Sequence, residues 1–301
     1  MYAAIDIGSN GVRLAILQKH SVETTVIRVP IRLGGDTFKC GKITDKNKKK
    51  LTKAMQHFRR ILDDNGVYSC RAVATSALRE AKNNKQVISD VKKKSGIEIE
   101  LIDGSTEAWL IQKAVENELH LNGAPHLIMD IGGGSVEFIA AQANKIHHVC
   151  SLRIGTVRLL NLVKESNPVS SFEKYLELCE EKIETLDKLK EFALNNRNEL
   201  RFIGTGGNFR RLQKLKNTLK LGLPSTPLQV EDLGVVIDTL LSMSFKNRID
   251  KLQLRKDRAD VILPASALVV AATQFFEIDE IIIPKSGLKD GVIFNQMEDR
   301  L

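Results

Sequence analysis

The sequence predicts an α/β protein built from two similar lobes, and three observations carry that prediction. A short apolar strand running into Asp-Ile-Gly and further small residues occurs twice, at Tyr2–Asn10 (YAAIDIGSN) and His126–Ser135 (HLIMDIGGGS), with the triplets 124 residues apart. A second pair echoes the first. Ala72–Arg79 (AVATSALR) and Phe202–Arg210 (FIGTGGNFR) are built around Thr75 and Thr205, 130 residues apart. Between these motifs, strand and helix patterns alternate. Repetition at a nearly constant offset marks duplicated architecture. Two halves that each give two strand-to-loop turns imply four small-residue loops facing one cleft. The predicted domains are 1–123 and 124–301, divided at Asn122-Gly123-Ala124-Pro125, with the last helix, about 290–301, free to pack back on the first domain.

Taken in order, Val12–Leu17 and Glu23–Arg32 extend the first strand into a meander, and Gly34-Gly35 reads as a turn. Asp45–Asp64 is a helix, because Leu51, Met55, Phe58 and Leu62 recur at steps of four and three on one face. Its lysines lie on the other face near the N-terminal end, where the helix dipole disfavours cations, so they form either a solvated surface or a polyanion contact. Val67–Thr75 is a strand, Asn83–Lys94 a helix closed by Gly96, and the alternation of Ile97–Ile102 a strand. Asp103–Glu107 opens an amphipathic helix. Past the boundary, Leu127–Ile131, Val136–Gln142 and Ile146–Leu152 form a second meander, turning at Gly132–Gly134 and at Ala143-Asn144. Ser171–Leu194 reads as one long helix, Leu200–Gly204 as a strand, and Asn208–Leu219 and Glu231–Met243 as helices. Arg258–Phe276 contains a very apolar helix, Glu280–Pro284 is a last strand, and Asp290–Met297 closes the chain as a helix.

A chain of 301 residues with 43% hydrophobic content can bury a large core. The net charge of +8 admits polyanionic partners, and much of the excess sits in Lys39–Lys53. With 5% aromatic residues and no zinc-finger or RNA-recognition signature, no specific nucleic acid is expected. Cys40, Cys70, Cys150 and Cys179 are scattered without CxxC pairs, which suits a reduced, cytoplasmic protein. No signal peptide is expected, and with no run of about 18 apolar residues no membrane span is expected either.

The chemistry starts at Asp130. A carboxylate inside an apolar strand and facing a glycine turn needs a partner. Glycines let backbone N–H groups converge on an anion, phosphate above all, and an acid beside them suits a divalent cation with oxygen ligands. Taken alone, the segment also fits a hairpin capped by Asp130. The phosphate cradle is assigned to Asp6, Gly8, Ser9, Asn10, Thr75, Ser76, Gly132, Gly133, Gly134, Ser135, Thr205, Gly206 and Gly207, with Asp130 as first and Asp6 as second ligand of Mg²⁺ (or Mn²⁺). Arg79 offers a planar fork matched to phosphate oxygens, or else a surface salt bridge. Arg13, Arg158, Arg210 and Arg211 either add positive field along a polyanion path or serve the surface. Trp109 packs or lines the cleft. His147-His148, adjacent on a strand, point to opposite faces and do not suggest a metal site.

The chain resembles the exopolyphosphatase / guanosine pentaphosphate phosphohydrolase family in its short, two-domain form. The matches are Ile5–Asn10, Ala74–Ala81, Asp130–Ser135, Ser151–Leu159, Gly204–Gly207, Arg258–Leu263 and Gly287–Gly291, in family order over nearly the whole chain. The resemblance implies two actin-like, ribonuclease-H-like lobes of the actin, sugar-kinase and heat-shock ATPase superfamily. It also implies a homodimer. Gly11 stands where the family usually has Ser, and Asn208 replaces a more usual Thr. The Gly-x-Glu-Glu-Ala-Arg segment is here Gly104–Trp109, which keeps Glu107 and loses the arginine; that loss bears on chain length or specificity.

By position, Glu107 resembles the family's catalytic glutamate, a general base for a water in line with the scissile bond. Without the family, an acid that favours the helix N-terminus electrostatically is an equal reading. The implied activity is release of terminal phosphate from inorganic polyphosphate, or from a guanosine polyphosphate such as pppGpp. The competing classes are an ATP-dependent kinase of the same superfamily and a non-enzymatic (p)ppGpp or polyphosphate binder. Glu107 and Ala74–Ala81 favour the hydrolase.

Overall fold

The computed structural model describes residues 1–18, 24–163, 167–224 and 226–299; Glu23 of the predicted third strand and residues 300–301 of the predicted last helix lie outside the described residues. The chain divides into two compact units, Met1–Asn117 with Ser286–Leu301, and Glu118–Lys285.

In the first unit, β1 (Tyr2–Gly8), β2 (Gly11–Leu17) and β3 (Thr24–Val29) form an antiparallel meander. Two helices follow, α1 (Leu33–Cys40) and α2 (Asp45–Asp64). Then come β4 (Ser69–Ala74), the single turn α3 (Ser76–Arg79), α4 (Asn84–Ser95), β5 (Ile99–Leu101) and α5 (Gly104–Leu119). The strand order is β3-β2-β1-β4-β5, with β4 parallel to β1 and β5 parallel to β4. β1 is central and covered on both faces, which is why it reads as an apolar run broken only by Asp6. Ala3, Ile5 and Ile7 pack under α2 and α4 through Leu51, Met55, Phe58, Val87 and Val91. α2 starts where expected because the Thr44 side chain accepts the Asn47 N–H. α1 is a correction: Gly34-Gly35 lies inside a helix, not a turn. A Cβ on Gly34 would lie 2.9 Å from Ser9 Cβ, so the glycine serves a close approach.

The second unit repeats this plan. β6 (His126–Ile131), β7 (Val136–Gln142) and β8 (Lys145–Leu152) form the meander, followed by α6 (Thr156–Leu162), α7 (Pro168–Ile183) and α8 (Asp187–Asn195). β9 (Arg201–Thr205) runs parallel to β6 and leads into α9 (Gly206–Thr218). The rest is β10 (Leu228–Gln229), α10 (Val230–Leu241), α11 (Phe245–Asp250), α12 (Lys256–Ala259), α13 (Ile262–Phe276) and β11 (Glu280–Ile281). Ile282 bridges Ile203 in parallel, which gives the fifth position of the same order beside β8-β7-β6-β9. This is the α/β, actin-like lobe topology expected from the sequence, present twice.

The predicted single helix Ser171–Leu194 is two, α7 and α8, broken after Ile183. Ile183, Leu186 and Leu189 are buried across the break, so the apolar spacing carries on where the helix does not. By length and composition Lys256–Phe276 would serve as a membrane span, yet 78% of its apolar window is buried within the protein, as in a core helix. The chain ends in α14 (Leu288–Glu298), which packs with α5 on the second face of the first sheet, where Val292 and Ile293 meet Ala4, Ala15, Val73 and Leu110. A Cβ on Gly291 would lie 1.9 Å from the Leu110 carbonyl oxygen, so only glycine allows this approach.

Candidate active site

In each unit the motif residues gather at the C-terminal ends of the parallel strands, where open α/β sheets present their loops. In the first unit the β1–β2 turn is Ser9-Asn10, closed by the Gly8–Gly11 pair. Its carbonyls are taken from behind. Ser9 O accepts the Gly34 N–H at 2.9 Å, and Asn10 O accepts from Arg28 at 3.0 Å. A planar trans peptide directs the next N–H away from its carbonyl, so the Asn10 N–H turns to the opposite side, while the Gly8–Gly11 pair closes the turn through the Gly11 N–H. Arg32 Nε donates to Asn10 Oδ1 at 2.9 Å. An arginine has no acceptor, so this contact fixes the amide with its NH₂ directed away from Arg32. Ser9 Oγ and Ser76 Oγ lie 3.0 Å apart, both buried, which ties this turn to the β4–α3 loop that carries Thr75.

Arg79 ends α3 and donates to the Ile102 carbonyl at 2.5 Å, with Glu107 Oε2 at 3.7 Å from its Nη1. Glu107 lies in the first turn of α5 and is buried, at 5% exposure. Asp103 caps that turn by accepting the Thr106 N–H at 2.8 Å, which holds the Asp103 carboxyl below the usual range. The predicted base and the predicted phosphate fork are therefore neighbours.

In the second unit the three glycines are gripped in the same manner by α6. Gly132 O accepts from Thr156 N at 3.1 Å, Gly133 O from Val157 N at 2.8 Å and Arg158 N at 3.1 Å, and Gly134 O from Arg158 Nε at 3.0 Å. With three successive carbonyls drawn toward α6, the N–H groups of Gly133, Gly134 and Ser135 face the other way. They form a nest for an anion. Gly155 permits the grip, since a Cβ there would lie 2.3 Å from Gly134 N. The Ser151–Leu159 motif thus builds the back wall of the loop. Thr205 Oγ1 donates to Asp130 Oδ1 at 2.5 Å, and Gly206, at φ +89°, places its Cα where a Cβ would come within 2.9 Å of that same oxygen.

The register around the two aspartates differs in charge. Asp6 faces Arg13 across β1–β2 and is ion-paired with it, whereas Asp130 faces Glu137 across β6–β7. Residues directly opposite on antiparallel strands have Cβ atoms about 5 Å apart. Glu137 is fully buried and accepts from Ser151 Oγ at 2.8 Å. The sequence reading missed Glu137; the signal was available, since Asp6 and Arg13 stand seven residues apart, as do Asp130 and Glu137. It also missed Arg28 and Arg32. No cluster of three or more His, Cys, Asp or Glu side chains able to hold a metal occurs among the described residues. Two carboxylates with a hydroxyl nearby still fit Mg²⁺, which keeps several waters and takes one or two protein carboxylates.

A model of the Ppx/GppA phosphatase family matches residues 18–300. The chain belongs to the Ppx/GppA phosphatase family. Exopolyphosphatase 1 of Mycobacterium tuberculosis is 26% identical over 98% of this chain and 87% of its own length. The guanosine-5'-triphosphate,3'-diphosphate pyrophosphatase of Vibrio parahaemolyticus is 24% identical over 99% of this chain and 60% of its own. Among solved structures, an exopolyphosphatase from Cytophaga hutchinsonii matches with a TM-score of 0.87 at 26% identity, over 99% of this chain and 98% of that one.

The departures from the Ppx/GppA pattern have local reasons. A Cβ on Gly11 would lie 2.9 Å from the Arg28 guanidinium, so Arg28 fills the space of the usual serine side chain. Asn208 donates to Ile131 O at 2.9 Å and accepts from Arg258 at 3.2 Å, linking two family motifs. Trp109, read as packing or cleft-lining, is 42% exposed with the Lys113 ammonium 4.6 Å over its ring. Arg13 and Arg158 are occupied with Asp6 and Gly134, and Arg210 donates to Lys285 O at 2.6 Å.

Proposed function

We propose that the chain is an exopolyphosphatase, a phosphoanhydride hydrolase that releases terminal orthophosphate from inorganic polyphosphate. The observation that carries this reading is the orientation of the two glycine-bearing loops. Their carbonyls are bonded from behind, which leaves backbone N–H groups of Asn10 and Gly133–Ser135 for phosphate oxygens. The names of the relatives point to the same substrate class.

Asp130 and Glu137 would hold Mg²⁺ or Mn²⁺, which supplies charge neutralisation on the phosphate oxygens when bound. Asp6 is assigned to Arg13 rather than to the metal. The amide NH₂ of Asn10, the Ser76 hydroxyl and the Arg79 guanidinium bind phosphoryl oxygens. Glu107 accepts a proton from water as the water oxygen bonds to the terminal phosphorus and the bridging P–O bond breaks. The bridging oxygen leaves with the shortened chain, and orthophosphate carries the new oxygen. The transition state bears diffuse charge, so fixed donors contribute more than base strength. Arg79, 3.7 Å from Glu107 Oε2, sets the base and the phosphate-binding fork side by side.

The test is phosphate release with Mg²⁺ from long-chain polyphosphate, tripolyphosphate, pppGpp, or ATP with sugars. Release from polyphosphate with chain shortening supports the reading. Release from pppGpp alone replaces it with the guanosine polyphosphate activity, and no release from any substrate leaves a binding protein.

A further inference from the structure

The first unit carries a row of lysines that its own stability does not explain. Lys39–Lys53 holds seven lysines against one acid, Asp45. Four of them, Lys46, Lys49, Lys50 and Lys53, are exposed and fall at helical spacings of three, four and seven in the N-terminal half of α2. On a helix these positions are neighbours, so like charges repel four times over, and Lys46 in the first turn also opposes the dipole. Lys48 differs. Its ammonium lies between Asp45 and Asp90, while the other four make no ion pair among the described residues.

The row is also fixed to the phosphate loops. α1 starts against Ser9, through the Gly34 N–H, and Thr37 Oγ1 donates to Ala77 O beside Ser76. At its far end Lys82, three residues after Arg79, donates its N–H to Gly41 O, and Asn83 exchanges two hydrogen bonds with Ile43. Asp36 then accepts from the Thr44 N–H and hydroxyl and from Asn47, seating the first turn of α2. Exposed Lys82 and Lys42 thus lie on the segments that join the Ser9–Ser76–Arg79 loops to the row on α2.

We infer that Lys46, Lys49, Lys50 and Lys53, reached by way of Lys82 and Lys42, bind the distal phosphates of a linear polyphosphate whose end is held by the Ser9 and Ser76 loops. This rests on the function proposed above and specifies how chain length is sensed. No aromatic residue occurs from Lys39 to Lys53 for a base to stack on, so a bare polyanion fits the row better than a nucleic acid.

The test is binding in EDTA, where metal-dependent hydrolysis is off, by the full chain and a K46Q/K49Q/K50Q/K53Q variant. Affinity for polyphosphate of several tens of units falls by about tenfold or more in the variant, and the slope of log affinity against log salt drops by about 3, from roughly 0.7 per lost contact. Affinity for tripolyphosphate changes less than twofold, and the unfolding temperature holds or rises as the repulsion is relieved. Unchanged long-chain affinity overturns the inference. So does a single-stranded oligonucleotide of equal charge that binds the row as tightly as polyphosphate. Stripe-dependent binding by a chain that hydrolyses nothing would keep this inference and remove the proposed function alone.

Discussion

Asp130 faces Glu137 directly across the β6–β7 ladder, while Asp6, at the equivalent place in β1–β2, faces Arg13. The duplicated fold therefore supplies its own control. One lobe neutralises its acid with a guanidinium, and the other sets two acids side by side. Like charges placed opposite on a sheet are destabilising, and a divalent cation shared by the two carboxylates would offset that cost.

Replacing Glu137 with Gln keeps the acceptor for Ser151 and removes one charge. Stability in EDTA should rise by about 0.5 kcal/mol, since a like-charge pair is lost. The stabilisation gained on adding Mg²⁺ should shrink, with apparent metal affinity at least roughly tenfold weaker. Thermal unfolding with and without Mg²⁺ measures both. An unchanged Mg²⁺ response would remove Glu137 from the metal site.

Arg32 holds Asn10 by its side-chain oxygen, so the amide's donors face the substrate side in the proposed function. Asn10→Asp exchanges those donors for a charged acceptor and keeps a partner for Arg32. KM should rise roughly thirtyfold, about 2 kcal/mol of lost and reversed hydrogen bonding, with a smaller change in kcat. Steady-state kinetics decide it, and an unaltered KM would contradict the assignment.

Strong local signals made much of the fold legible. α2 was readable from Leu51, Met55, Phe58 and Leu62, and its bounds hold because Thr44 caps it. The duplicated Asp-Ile-Gly strands gave both sheets. α1 was hidden because Gly34-Gly35 carries turn chemistry, and its helical conformation depends on the approach to Ser9. The α7–α8 break was hidden because burial of Ile183, Leu186 and Leu189 continues the apolar spacing through it. The loops themselves could be named from sequence. Their backing groups could not, because Arg28, Arg32 and α6 reach them only through tertiary contacts. Glu137 was legible through the seven-residue spacing it shares with Arg13, but an acid in an apolar strand gains its meaning only once its partner across the ladder is known.

Gly291 lets α14 rest on α5 at backbone distance. Gly291→Ala should destabilise the fold by about 3 kcal/mol, the upper range for overpacking, although alanine is the better helix former. Denaturant unfolding measures this, and a neutral or stabilising change would show that the helices separate freely.

His126 is fully buried at the start of β6, with Nδ1 2.8 Å from Ala124 O. Burial lowers its pKa from the ordinary 6.5, and the Arg201 charge adds to this. The folded state thus binds the proton less readily than the unfolded state, so stability is full above about pH 6.5 and declines as pH falls through the lowered value. His126→Gln should flatten that decline in unfolding measured between pH 7 and pH 5 (roughly the range around an unperturbed His). An unchanged profile would place the acid sensitivity elsewhere.

The most direct measurement is single-turnover and steady-state phosphate release by Glu107→Gln beside the parent chain, with Mg²⁺ and polyphosphate. Buried beside Arg79 at the mouth of α5, Glu107 is assigned the proton of the attacking water. Turnover should fall by roughly 10²-fold or more while polyphosphate affinity stays nearly intact. Full turnover in the variant, or lost affinity with turnover preserved, would contradict that assignment.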